Sequence, residues 1–320
     1  MVPAGLAPVT PALVLAAALV IDRLIGDPRS PFHPVALLGR FIGYWGRPSC
    51  IPPYLQRAAG VLFWLITVII FTLPFMVLSS LVPWYLYLLC APFLLKICFA
   101  WRSLEEHANA VIDAVNRGLE PGREIVKMLV SRNTAALDEE QTLSAAYESL
   151  TENLTDSIVS PLLFYGVFGL PGSALFRAAN TMDAMLGYRD ERERLGWCAA
   201  RMDDILNYIP ARVTALFLLT YFAARGRFSS AWSIMRRDGK KRPGFNGGVV
   251  MAVMAGGAGI RFDKPGVYRI GDPERTLREG GPVIFRAVRC VALTASVLAA
   301  ILACTTLFLL GSWINNIGIW

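Results

Sequence analysis

Of the chain's 320 residues, 55% are hydrophobic and only 17% are charged, and the mean hydropathy is +0.47. A soluble domain of this length would carry roughly 25% charged residues, so the composition argues against one and predicts an all-α, multi-pass helical protein seated in a lipid bilayer. The formal charge of +7 is what Lys and Arg flanking membrane spans would give; no nucleic-acid module is recognisable, and no nucleic-acid partner is expected.

Four segments predict firm spans: 9–25, 59–81, 84–101 and 287–310, because about 20 apolar residues cover a hydrocarbon layer of about 30 Å. The N-terminus lacks the basic region and early cleavage site of a secretory peptide, so 9–25 reads as a retained span. No charge occurs from 59 to 82 or from 291 to 320. Pro83 and Trp84 make the return between the second and third spans. Trp84, Trp101 and Trp313 sit at span ends, as in an aromatic belt, and Lys96 is placed to snorkel. Arg23, Arg29, Arg40, Arg47 and Arg57 put the loop between the first two spans in the cytoplasm, with the first ten residues outside.

Residues 102–156 follow as cytoplasmic helices, amphipathic up to 150 and broken at Gly118 and at Pro121-Gly122. The region 157–224 mixes polar and apolar stretches. Pro161, Gly166, Gly169 and Pro171-Gly172 interrupt 157–176, while 209–224 contains Arg212. Basic flanks on both sides require an even number of crossings here: both segments cross, or both are re-entrant or membrane-seated, the arrangement favoured. Residues 225–286 form a basic and Gly-rich cytoplasmic segment. Its glycines from 244 to 259 suit close helix packing better than a phosphate loop, since no Gly-Lys-Ser/Thr follows. Ile25-Gly26-Asp27-Pro28 and Ile270-Gly271-Asp272-Pro273 repeat a turn motif. The six cysteines (Cys50, Cys90, Cys98, Cys198, Cys290 and Cys304) have no CxxC spacing and read as small hydrophobes. The whole of 1–320 reads as one membrane-embedded domain.

The densest polar signal lies in 147–156. Glu148, Glu152 and Asp156 stand at i, i+4 and i+8, which places three carboxylates on one helix face. No basic residue occurs between Arg132 and Arg177 to relieve them, and the row runs into the apolar 158–168. A solvated acidic face is one reading; carboxylates brought to a membrane boundary favour a functional one. Such a row suits Mg²⁺, which takes one or two carboxylates plus substrate phosphates. A second polar set comprises Asn180 and Asp183, then Arg201, Asp203, Asp204, Asn207 and Tyr208 ahead of Arg212; the alternating charges of 190–194 read as a solvated turn. A third is Asp22, Asp27, His33 and Arg40 beside the first span, where Asp22 needs a partner such as Arg23 or Arg40. Two histidines, with no triad spacing and no metal-ligand pair, argue against a Ser-His-Asp hydrolase and a zinc site.

Several of these segments carry a resemblance. Asp22-Arg23-Leu24-Ile25-Gly26-Asp27-Pro28, His33-Pro34-Val35, Gly39-Arg40, the run 148–156 (Glu-Ser-Leu-Thr-Glu-Asn-Leu-Thr-Asp), 179–188 and 200–212 resemble, in order, the adenosylcobinamide-phosphate synthases of the CobD/CbiB family. The resemblance implies a multi-pass enzyme of the cell (inner or plasma) membrane that joins adenosylcobyric acid to (R)-1-amino-2-propanol phosphate, or a related amino-alcohol phosphate, through an amide bond, with ATP and Mg²⁺. Its partners would be the corrinoid, the amino-alcohol phosphate and the bilayer; a homo-oligomer and a complex with other cobalamin-assembly enzymes are both open. The chain departs from the family where Gly-Arg-Asp-Thr becomes 131–134 Ser-Arg-Asn-Thr. It departs again where His-Pro-Ser-Pro-Asn becomes 242–246 Arg-Pro-Gly-Phe-Asn, and where Met251 stands near an expected Glu. These changes remove polar groups from segments that would handle substrate.

Amide formation from an acid and an amine requires activation, most simply as an acyl phosphate, with cations on the transferring charge. The expected metal ligands are Glu148, Glu152, Asp156 and Asp203, and the expected catalytic groups are Glu152, Asn153, Asp183 and Asp204. Substrate and nucleotide would meet Asp22, Asp27, His33, Arg40, Arg132, Asn180, Arg201, Asn207 and Arg212. The competing readings are a transporter, with polar groups on broken helices, and a catalytically degenerate regulatory paralogue.

Overall fold

A computed structural model describes residues 9–27, 30–130 and 132–317, with 310–317 as backbone alone. The expectations for Pro28, Arg29, Ser131, the first eight residues and the Trp313 side chain lie outside what is described. The helices run α1 (Thr10–Leu24), α2 (Pro34–Trp45), α3 (Gln56–Leu81), α4 (Trp84–Cys98), α5 (Trp101–Arg117), α6 (Leu119–Val126), α7 (Glu139–Leu154) and, after one π turn at Thr155–Val159, α8 (Ser160–Leu186). Then come α9 (Glu193–Leu206), α10 (Tyr208–Ala223), α11 (Phe228–Asp238) and α12 (Gly247–Ala258), a hairpin of β1 (Phe262–Lys264) and β2 (Tyr268–Ile270), and α13 (Leu277–Ile317). The protein is a multi-pass helical membrane protein.

Among the described residues four helical runs are long and apolar enough to cross a bilayer: Gln56–Leu81, Trp84–Arg117, Glu139–Leu186 and Leu277–Leu309. Two coincide with the expected 59–81 and 287–310, and a third extends the expected 84–101. The segment 9–25 gives a helix of only 15 residues, about 22 Å long at 1.5 Å per residue, short of a full crossing. The place of a fourth long run falls to the middle instead: 157–176 lies inside Glu139–Leu186, whose apolar window is 78% buried within the protein. Gly169 (φ 65°, ψ −159°) breaks that run just before Pro171, so it is packed among helices as an interrupted segment. α9 and α10, parted at Asn207, reach spanning length only together.

Local chemistry explains the ends. Asp138 and Gln141 form a reciprocal capping box at the start of α7. Gly118, at φ 149°, ends α5 as expected. Pro121-Gly122 does not break the chain: both residues sit early in α6, where proline is tolerated. A Cβ on Gly122 would stand 2.5 Å from Val115 Cγ2, so the glycine permits α6 to close on α5. Of the repeated turn motifs, Gly26 (φ 71°) follows a helix and Gly271 (φ 89°) follows a strand; the shared feature is the left-handed backbone, which glycine adopts without strain.

The chain divides into two compact units. One comprises 1–100, 160–206 and 295–320. Its core joins Leu38, Ile42 and Trp45 of α2, Trp64 and Val68 of α3, Ala178, Ala179, Met182 and Leu186 of α8, and Leu195, Cys198 and Ala199 of α9. The other comprises 101–159 and 207–294. At its centre α12 is buried from Val250 to Ala258. A Cβ on Gly257 would stand 2.1 Å from the Phe222 ring, and one on Gly248 2.4 Å from the Gly239 carbonyl, so the glycine-rich stretch is a packing surface, as its sequence suggested. The hairpin, paired Phe262↔Ile270 and Lys264↔Tyr268, was not foreseen. All six cysteines are free, and only Cys98 and Cys198 are fully buried.

Candidate active site

In the second unit the acidic row of α7 is built into a network rather than left in solvent. Glu148 is 3% exposed. It accepts hydrogen bonds from Arg132 Nη2 (2.7 Å), Tyr268 Oη (2.6 Å) and Ser144 Oγ (2.5 Å). Ser144 Oγ in turn accepts from the Asp263 backbone N–H at 2.7 Å, and Arg132 Nη1 donates to the Asp263 carbonyl at 3.3 Å. A buried carboxylate requires such partners, because an unpaired one costs several kcal/mol. Burial, then the charge and hydrogen bond of Glu148, push the Tyr268 phenol above its usual range. The phenol therefore stays protonated and donating.

One turn along α7, Glu152 pairs with Arg242 of the 239–246 segment. Burial opposes the charge on Arg242, but Glu152, Tyr268, Asp156 and Glu148 together raise its pKa. This pair is more open than the first: the Glu152 and Arg242 side chains are 36% and 22% exposed. Arg212 donates to Asn246 Oδ1 (2.6 Å) and the Phe245 carbonyl (3.0 Å) and lies 3.7 Å over the Tyr208 ring, so it fixes the loop carrying Arg242. Asn207 is buried. Asn153 donates to the Ser149 carbonyl one turn back. Asp156 falls in the π turn, so the i, i+4, i+8 register holds for Glu148 and Glu152 and lapses at the third carboxylate.

The first unit has its own polar clusters. Asp22 is fully buried, and its partner there is Lys96, whose Nζ lies 3.2 Å from Asp22 Oδ1 and also pairs with Asp27. Lys96 was expected to snorkel; it is 4% exposed and turned inward, because two carboxylates hold it more strongly than the interface would. Asp22 thus serves an internal ion pair and is closed to substrate. His33 is lowered from its usual pKa by burial, with Asp27 opposing and Lys96 and Arg177 reinforcing the shift. Asn180 Nδ2 donates to Asp203 Oδ1 at 3.2 Å. Arg201 is 3.8 Å from Asp204 on an exposed surface of α9. The 190–194 run is the exposed turn foreseen: Arg192 clasps Asp190, which its guanidinium and backbone hold down at about 2. Arg40 is exposed on α2, and Asp183 is half-buried near the end of α8.

The donor set was tested against Mg²⁺. Among the described residues no three His, Cys, Asp or Glu side chains are grouped to hold a metal ion, and three hydrogen bonds already engage the Glu148 carboxylate. An all-protein metal cage over Glu148, Glu152 and Asp156 does not fit, and Asp203 belongs to the first unit. What fits is the sparser arrangement in which substrate phosphates carry most of the ion and one or two carboxylates complete it; Glu152 and Asp156, both half-buried, can do that.

Comparison with known proteins decides the family. The family described as CobD/Cbib protein matches residues 15–290. The chain belongs to it. Among CobD relatives, "Probable cobalamin biosynthesis protein CobD" of Methanothermobacter thermautotrophicus is 38% identical over 262 residues, covering 81% of this chain and 86% of that protein. The protein of the same name in Thermococcus kodakarensis is 42% identical over 258 residues (79% and 82%). "Cobalamin biosynthesis protein CobD" of Dehalococcoides mccartyi is 36% identical over 274 residues (83% and 88%). No solved structure matches.

The departures of this CobD/CbiB chain now have places. Asn133 Oδ1 accepts from Ala135 N at 3.0 Å and shapes the turn beside Arg132. Met251 is fully buried in α12, so it belongs to helix packing. Arg242 brings a permanent cation to Glu152. Sequence reasoning gave Ser144, Tyr268 and Arg242 no role in the site and read Lys96 as a snorkelling residue. Only the solitary Lys96 inside an apolar run carried a signal of its own.

Proposed function

We propose that this CobD/CbiB chain is the ligase that joins adenosylcobyric acid to (R)-1-amino-2-propanol phosphate, or a related amino-alcohol phosphate, to give adenosylcobinamide phosphate, with ATP as co-substrate. The observation that carries this reading is the α7 face, where Glu148 and Glu152 meet two guanidinium groups and a phenol beside an apolar helix. The name shared by the relatives, cobalamin biosynthesis protein, supports it.

The chemistry runs in two displacements. A corrinoid carboxylate oxygen attacks the γ-phosphorus of ATP, and ADP leaves. The amine nitrogen then attacks the acyl carbon, inorganic phosphate leaves, and the amine gives up a proton. Arg242 and Arg132 offer their remaining N–H donors to the phosphoryl oxygens, where charge builds in the transition state. Glu148 holds Arg132 in place, with Tyr268 and Ser144 filling its other lone pairs. Glu152, open to the surface, takes the proton of the attacking amine. Bound Mg²⁺ would neutralise the phosphate charge, with Asp156 as its protein ligand. The active region lies on the cytoplasmic side of the cell membrane, where ATP is supplied.

The test is direct. The purified chain in nanodiscs is given adenosylcobyric acid, the aminopropanol phosphate and Mg-ATP, and the products are followed by mass spectrometry. Adenosylcobinamide phosphate should appear with one ADP per amide. Absence of product with both aminopropanol and aminoethanol phosphates rejects the proposal; corrinoid crossing sealed vesicles without ADP release is what a transporter would give.

A further inference from the structure

α11 presents two unlike faces. Ala231, Ile234 and Asp238 are buried, and a Cβ on Gly256 of α12 would stand 2.8 Å from Ile234 Cβ, so that side is packed. On the other side Phe228 and Trp232 are 47% and 42% exposed, and their rings stack at 6.0 Å and 15°. The next residue on that face at helical spacing is Arg236, and Lys240 follows in the adjoining turn. Both are exposed, and neither has an ion-pair partner among the described residues. Their sequence neighbours differ: Arg237 pairs with Asp238 and Asp272, and Lys241 with Asp238. Two cations are thus neutralised within the protein and two are turned outward beside an aromatic pair.

The position of the helix narrows the counterpart. α10 is apolar, with Leu216 58% exposed, and the link 224–227 reaches at most about 18 Å. That link adds Arg225, whereas Arg227 pairs with Glu274. Aromatic side chains and unpaired basic residues on one face, tethered to a membrane-seated helix, are the composition of a helix lying in the interface plane. We propose that α11 lies in the headgroup layer, with Phe228 and Trp232 at the acyl boundary and Arg236 and Lys240 bound to the phosphates of anionic phospholipid.

The full chain is reconstituted in phosphatidylcholine nanodiscs holding a small fraction of either brominated phosphatidylglycerol or brominated phosphatidylcholine. The Trp232 signal is isolated by difference from Trp232→Phe. Quenching by the brominated phosphatidylglycerol should exceed that by the brominated phosphatidylcholine, and the excess should fall about fivefold for each cation removed in Arg236→Gln and Lys240→Gln. Should either variant fail to fold, added salt on the unaltered chain gives the same readout, since screening removes the excess. Equal quenching by the two lipids, or an excess that neither substitution nor salt alters, overturns the proposal. So does a Trp232 shielded from both brominated lipid and aqueous iodide, which would mean that a protein surface covers this face. None of these readouts depends on the ligase activity.

Discussion

Asp22 and Glu148 are both buried carboxylates in a membrane protein, and they are satisfied in different ways. Asp22, at the end of α1, is held by one lysine from α4 that also grips Asp27. Both side chains of the Asp22–Lys96 pair are closed off, at 0% and 5% exposure. Glu148 takes donors from the segment before α7, from α7 itself and from the hairpin, and one turn away the Glu152–Arg242 pair opens to the surface. Beside the Asp22–Lys96 pair, Asp27 is 28% exposed but is held by the same ammonium, which leaves that pair to pin helices. A buried pair that positions cations next to an open one can hold a substrate and act on it.

Four substitutions, one of them a rescue, would break or sharpen that contrast. The largest effect is expected at the pin: Lys96→Met leaves Asp22 buried without its ammonium and should lower stability by about 3–5 kcal/mol, whereas adding Asp22→Asn should recover much of the loss. Thermal unfolding in detergent checks both, and a single variant as stable as the parent would show that Lys96 is no pin. At the open pair, Glu152→Gln should fold normally and lose about 10²-fold in turnover, the scale of removing one transition-state partner; near-normal turnover would take Glu152 out of the reaction.

The smallest change is at the hairpin. Tyr268→Phe deletes one hydrogen bond to a charged group and should cost about 1.5–3 kcal/mol. Because burial and Glu148 raise the Tyr268 pKa in the fold, its contribution is present in full below the ordinary tyrosine value of about 10 and is lost as pH rises through the folded value. The parent protein should therefore lose more stability at alkaline pH than Tyr268→Phe does. Identical alkaline profiles would mean that Tyr268 does not hold Glu148.

Legibility in the sequence followed the range of the interactions. The 59–81 and 287–310 spans could be read because a long uncharged run has one cheap solution in a membrane, and the glycine-rich packing helix because small residues recur on it. The acidic row was visible as a spacing of four. Its neutralisation was not: Arg132 lies 16 residues before Glu148, Tyr268 lies 120 residues after it, and Arg242 lies 90 residues from Glu152. No local pattern reports such pairings. The bounds of α1 were read to within a residue at each end, Thr10–Leu24 against 9–25, but 15 residues rise only about 22 Å, less than a layer of about 30 Å.

The sequence alone determined the membrane class and the helical composition, which follow from apolar content, the acidic face of α7, which follows from a spacing of four, and the family, which follows from the ordered motifs that resemble it. Only the tertiary structure decided which charges face each other: that Lys96 turns inward to Asp22, that Glu148 is sealed by Arg132 and Tyr268, and that Glu152 stays open beside Arg242. Charge pairing depends on where distant segments come to rest, and in a low-dielectric interior that placement separates a structural ion pair from a reactive one.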